Sequence, residues 1–139
     1  MGQQKLVGRR ILISADDSAF AFRLSDALGA AGADVIYPAN TIEDSLDIIM
    51  SSSRIDAAIL SLSLQGEVTF VAAENLVRRR IPFAFLMGQN APDIPEEFKD
   101  IVQLVTSGNL SNMVGLVQTL IIGAHNSQGR GEGLGTGAA

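Results

Sequence analysis

A chain of 139 residues with 47% apolar residues is long enough for one domain around one sizeable core. The absence of cysteine excludes disulfides and thiolate-bound metals, and fits a cytoplasmic protein. A net charge of -5 with no Trp, one Tyr and no long basic run excludes an ordinary nucleic-acid-binding face, which needs clustered Lys and Arg.

The start, MGQQKLVGRR, has basic residues but no apolar stretch behind them, so no secretory signal is expected. No apolar run nears the roughly 18 residues of a membrane span, and no membrane partner is expected. Residues 1–8 read as an N-terminal extension. Residues 10–15, RILISA, read as a first strand. Phe20, Leu24, Ala27, Leu28 and Ala31 then recur at helical spacing over 18–31, and Gly32 stands where a helix-ending glycine belongs. DVIYPA (34–39) is a second strand, ended by Pro38. A helix over 41–52 has Thr41 as N-cap, Asp44 three residues on, and Ile42, Leu46, Ile49 and Met50 as its apolar stripe.

DAAILSLSLQGE (56–67) is a buried strand over 57–61 that ends in Ser61 and turns at Gln65-Gly66. A helix over 67–80 carries Phe70, Ala73, Leu76 and Val77 inward and ends in Arg78-Arg79-Arg80. PFAFLM (82–87) is a fourth strand, GQNAPDIP a loop, and a short helix near 95–100 leads to a fifth strand, VQLVT (102–106). The last helix, 110–124, turns Leu110, Met113, Val114, Val117, Leu120 and Ile121 inward. Residues 125–139 form a Gly-rich tail expected to be disordered, which leaves 9–124 as the domain.

Five strands alternating with five helical segments predict an α/β, flavodoxin-like doubly wound fold. Its parallel sheet is expected in the order 2-1-3-4-5, with helices on both faces. Ligands in such folds bind beyond the carboxyl ends of the strands. That edge gathers Ala15, Asp16, Asp17, Ser61, Met87, Gly88, Thr106 and Ser107.

Over residues 9–123 the sequence resembles the receiver (CheY-like) domain of two-component response regulators. RILISADDSAFAFRLSDALGAAGADVIYPA is similar to the family's first strand, helix and second strand, and IDAAILSLSLQGE to its phosphoacceptor strand and loop. RRRIPFAFLMGQN resembles a subgroup whose fourth strand reads Pro-Phe-x-Phe-x-Thr-Gly, a subgroup associated with alphaproteobacterial stress and light signalling.

The resemblance implies two acidic residues after strand one and a phosphoacceptor aspartate after strand three, together holding Mg²⁺. It also implies a Thr or Ser after strand four and a Lys-Pro pair after strand five. This chain has Ala15 at the first acidic position, Asp16 at the second and Ser61 at the phosphoacceptor. Met87 takes the switch position and Thr106-Ser107 the Lys-Pro position, and Lys5 and Lys99, its two lysines, lie near neither. Of the family's five functional positions Asp16 alone keeps its chemistry.

Aspartyl phosphorylation needs a carboxylate nucleophile, a cation held by oxygen ligands, and a positive group to neutralise charge. Serine is a weak nucleophile without a base, and the single histidine, His125, follows the last helix at the far edge. The degenerate site therefore comprises Ala15, Asp16, Ser61, Met87 and Thr106. Asp16 and Asp17 are weak metal candidates, read first as the start of helix one, where the helix dipole favours negative charge. Arg78-Arg79-Arg80 suits a helix C-terminus, with docking of an acidic partner as the alternative. No glycine-rich phosphate loop follows strand one, so no nucleotide or other cofactor is expected.

The expected function is non-enzymatic. It is a pseudo-receiver that signals by protein contact, with a histidine kinase or downstream effector as partner and a homodimer as the expected assembly. The expected contact face is residues 95–123, with Leu110, Met113, Val114, Val117 and Ile121 as candidates, because Leu104 to Ala124 carries no charge. The alternatives are a small-ligand sensor using the vacated pocket, and a cryptic receiver phosphorylated on Asp16 or Asp17.

Overall fold

The computed structural model describes residues 6–16, 18–37, 41–52, 54–87, 93–105 and 108–130. In chain order it has β1 (Arg10–Ser14), α1 (Ser18–Ala30), β2 (Asp34–Ile36), α2 (Ile42–Ser51), β3 (Ala57–Ser61), β4 (Ser63–Leu64) and β5 (Glu67–Val68). There follow α3 (Phe70–Arg78), β6 (Phe83–Met87), a 3₁₀ turn (Glu96–Phe98), β7 (Val102–Val105) and α4 (Leu110–Arg130). Five strands make one parallel sheet in the order β2-β1-β3-β6-β7, the expected doubly wound arrangement. A separate antiparallel pair, β4-β5, was not foreseen.

Alternation along each strand sorts side chains to two cores. Ile11, Ile13, Ala57, Ile59, Ala84 and Leu86 face α1 and α4. Leu12, Ala58, Leu60, Phe83 and Phe85 face α2 and α3. The helices begin and end for local reasons. Thr41 caps α2 by accepting the Asp44 N–H at 3.1 Å, as its spacing predicts. Gly32, at φ 98°, ends α1 while Ala33 N–H donates to the Leu28 carbonyl at 3.1 Å. A Cβ on Gly32 would lie 2.6 Å from a Val7 methyl, so glycine is required twice over.

Several expectations are corrected. Helix three starts at Phe70 rather than 67, because Glu67 and Val68 are taken by the hairpin. Val77 and Met50, expected inside, are 52% and 69% exposed. Each sits at the margin of its helix's apolar stripe and falls on the outer side. The short helix near 95–100 is a single 3₁₀ turn, since Pro95 precedes it and Phe98 alone of its residues is buried. The last helix passes residue 124 and runs to Arg130, so His125 lies within it; Ala124 to Gln128 contains no helix breaker. Residues 131–139 lie outside the described residues. Within the N-terminal segment Leu6 is buried, and its N–H donates to the Ala31 carbonyl at 2.9 Å.

Candidate functional site

The carboxyl ends of β1, β3 and β6 bring Ala15, Asp16, Ser61 and Met87 to one edge of the sheet. Asp17, Gly88, Thr106 and Ser107 lie outside the described residues. Ala15 is fully buried and Ser61 is 7% exposed, Met87 is half-buried against the α2–α3 core, and Asp16 is open to solvent.

Ser61 closes β3, whose five residues are all buried. Its hydroxyl accepts the Asp16 N–H at 3.4 Å, a long bond between neighbouring strand ends. The Asp16 carboxylate accepts the Gln65 N–H at 3.1 Å, which ties the β1 end to the tip of the β4–β5 hairpin. That tip is Gln65-Gly66, with φ of 51° and 83°, the paired positive φ of a type I′ turn. The expected turn is present, and it closes a two-residue hairpin. Thr69 completes the connection. It is fully buried, and its hydroxyl donates to the Ser61 carbonyl at 2.5 Å instead of capping α3.

A second hydroxyl pair supports the same edge from the other face. Ser45 Oγ on α2 lies 2.8 Å from Ser14 Oγ and 2.9 Å from the Thr41 carbonyl, and both serines are fully buried. A hydroxyl has one proton and a carbonyl has none, so Ser45 donates to Thr41 and receives from Ser14. Sequence reasoning passed over Ser14, Ser45 and Thr69. For Thr69 a signal existed: a threonine directly before the apolar run FVAA is a helix-start residue.

Chemically the described residues of this edge offer the exposed carboxylate of Asp16 and the shielded hydroxyl of Ser61. Among the described residues no group of three or more His, Cys, Asp or Glu side chains is placed to hold a metal ion. The backbone of α4 runs away from this edge, carrying residue 125 to the far end of the sheet.

The Arg78-Arg79-Arg80 run divides by role. Arg78 donates to the Asn75 side chain at 3.3 Å, and Arg79 donates to the Ile49 carbonyl of α2. Arg80, at φ 59°, ends α3, with Ile81 N–H donating to Leu76 O at 2.9 Å. The predicted contact residues of α4 are corrected. Met113, Val117 and Ile121 are buried, and Leu110 and Val114 pack against the same core, so their helical spacing marks the face turned to α1 and the sheet. The outer face of α4 carries Ile122, 59% exposed. No described helix is long and apolar enough to cross a membrane.

No family model matches the sequence, and no curated protein matches it. Solved structures match its fold. The N-terminal domain of a response regulator/sensory box/GGDEF three-domain protein from Carboxydothermus hydrogenoformans superposes with a TM-score of 0.75 at 18% identity, over 86% of this chain and 99% of that one. A response regulator receiver domain protein (CheY-like) from Methanospirillum hungatei gives 0.67 at 15%, over 84% and 97%. A response regulator receiver protein from Sinorhizobium medicae gives 0.70 at 15%, over 84% and 96%. Sheet order, helix placement and these superpositions agree that the chain has the flavodoxin-like fold of response regulator receiver domains.

Proposed function

We propose that the protein is a pseudo-receiver, a signalling module that works by protein–protein contact without aspartyl phosphorylation. The observation that carries this reading is the environment of Ser61. By the sequence resemblance it takes the phosphoacceptor position at the end of β3; it is 7% exposed, and the neighbouring carboxylate of Asp16 is engaged by the Gln65 backbone. A shielded hydroxyl is a poor phosphoryl acceptor unless a base activates it. Pro82 to Met87 keeps the Pro-Phe-x-Phe pattern of the Pro-Phe-x-Phe-x-Thr-Gly subgroup and departs from it by placing a thioether at the switch hydroxyl. A histidine kinase or a downstream effector is the proposed kind of partner, and no cofactor enters. Ala15 and Ser61, two of the residues that would line a vacated pocket, are themselves buried, which supports contact over small-molecule sensing.

Amide NMR titration with Mg²⁺ and then beryllofluoride, a mimic of aspartyl phosphate, tests the reading. Unmoved resonances at residues 14–16, 61 and 87 are expected. Saturable shifts there that spread to β7 and α4 would overturn it, and would reassign the acceptor to Asp16 or Asp17.

A further inference from the structure

We propose that a second copy of this chain docks at the amino-terminal edge of β6 and β7, with Arg80 of each copy paired to Asp100 of the other across a two-fold axis. The inference rests on the protein-contact reading above and names a partner and a surface for it. The surface lies at the end of the sheet opposite Ser61. A groove of about 440 Å³ opens there between the end of α3, the starts of β6 and β7, and one side of α4. Its lining is apolar, chiefly Ile81, Phe83, Ile101, Val102 and Leu120, and it is flanked by one cation, Arg80, and one anion, Asp100.

Among the described residues, neither Arg80 nor Asp100 has an ion-pair or side-chain hydrogen-bond partner. Arg80 also stands in the left-handed conformation that a helix-ending glycine occupies without strain, so local backbone preference does not explain an arginine here.

The charge pattern selects the occupant. An isologous contact sets residue i of one copy against residue j of the other and j against i. One cation and one anion flanking an apolar floor are self-complementary under a two-fold axis passing between them. Val77, also lining the groove and 52% exposed, is placed to enter the partner's groove. A chain of net charge -5 repels its own copies in general. On its α4 side the groove is lined by Thr119, Leu120 and Gly123, within a stretch from Leu104 to Ala124 that carries no charge, so Arg80 and Asp100 are the charged residues of its lining. Stable dimers bury about 800 Å² per partner, more than the groove alone, so a weak, concentration-dependent dimer is expected.

Sedimentation velocity from about 10 to about 500 μM tests this, the span in which contacts of sub-standard size report. Reversible dimerisation is expected. Arg80→Asp and Asp100→Arg should each weaken it about tenfold or more, and the double swap should return it to within about threefold of the parent. Both side chains are exposed, and circular dichroism checks that each variant is folded; Val77→Glu, at another exposed position, should also weaken the dimer. A monomer across the whole range, a dimer indifferent to these changes, or a double swap that does not restore association would each overturn the proposal. The beryllofluoride titration reads the opposite edge of the sheet, so failure of the pseudo-receiver reading registers separately.

Discussion

Two hydroxyls beside each other at the end of β3 differ sharply in what they hold. Thr69 donates to the Ser61 carbonyl at 2.5 Å in a fully buried place, whereas the Ser61 hydroxyl accepts a backbone N–H at 3.4 Å at a partly buried edge. Removing a buried donor strands its acceptor and costs about 1–3 kcal/mol, while losing a long edge bond costs less than about 1 kcal/mol. Thr69→Val should therefore destabilise the protein more than Ser61→Ala in urea titrations. The reverse order would mean that Ser61 carries a structural duty its geometry does not reveal. Gly32 is the sharper case. Alanine there meets a left-handed backbone that costs about 1–2 kcal/mol, and Val7 backbone atoms at 3.0 and 3.1 Å besides. Gly32→Ala should cost more than about 2 kcal/mol in the same assay, and a smaller loss would show that the Val7 segment yields freely.

At the scale of elements, β6 shows how a short pattern organises a face. Phe83 and Phe85 are two residues apart, so they share one side of the sheet, where their rings meet edge to face at 5.4 Å. Phe98 of the 3₁₀ turn packs on Phe85 at 5.9 Å and on Phe70 of α3 at 5.8 Å. The described part of the β6–β7 crossover is thus anchored by one buried ring, and Phe98→Ala should cost about 3–5 kcal/mol in calorimetry or urea unfolding. A loss under about 1 kcal/mol would show that the turn collapses to fill the space. The five sheet strands and the four α-helices described were legible because their apolar periods are plain, and Thr41, Gly32 and Gln65-Gly66 punctuated them as they should. The β4–β5 hairpin was not, because strands of two residues carry no period. The same cause moved the start of α3 from 67 to 70. The contact residues assigned on α4 failed for a related reason: an apolar stripe says which face is buried, not whether its own core or a partner buries it.

For the whole molecule, the edges of the fold are set by single anchors that a periodic pattern cannot register. Topology alone brings the described strand ends, Ala15, Asp16, Ser61 and Met87, to one side, because a parallel sheet sends all its carboxyl ends there. What closes that site depends on loop geometry: the Asp16–Gln65 bond left no mark in the sequence, and the helix-start position of Thr69 marks a cap, not the bond to the Ser61 carbonyl that it makes. At the other end of the sheet, ahead of the expected domain start at residue 9, Leu6 is 1% exposed and packs in the α1–α4 core while its neighbour Val7 is 61% exposed. Burying one leucine contributes roughly 2–3 kcal/mol by area, and truncating it leaves a cavity as well, for a loss of about 2–5 kcal/mol. The segment adds two backbone ties, the Leu6 N–H to Ala31 and the Arg9 N–H to the Leu6 carbonyl at 3.0 Å, and Arg54 donates to the Gly8 carbonyl. A domain this size has only about 5–15 kcal/mol in all, so these few residues hold a large share of it. Leu6→Ala should lower the urea midpoint markedly, and deletion of residues 1–8 should lower it further because the Gly8 and Arg9 ties go too. Equal midpoints for parent and deletion would show that the sheet and its four helices close without the segment, and would leave residue 9 as the start of the domain.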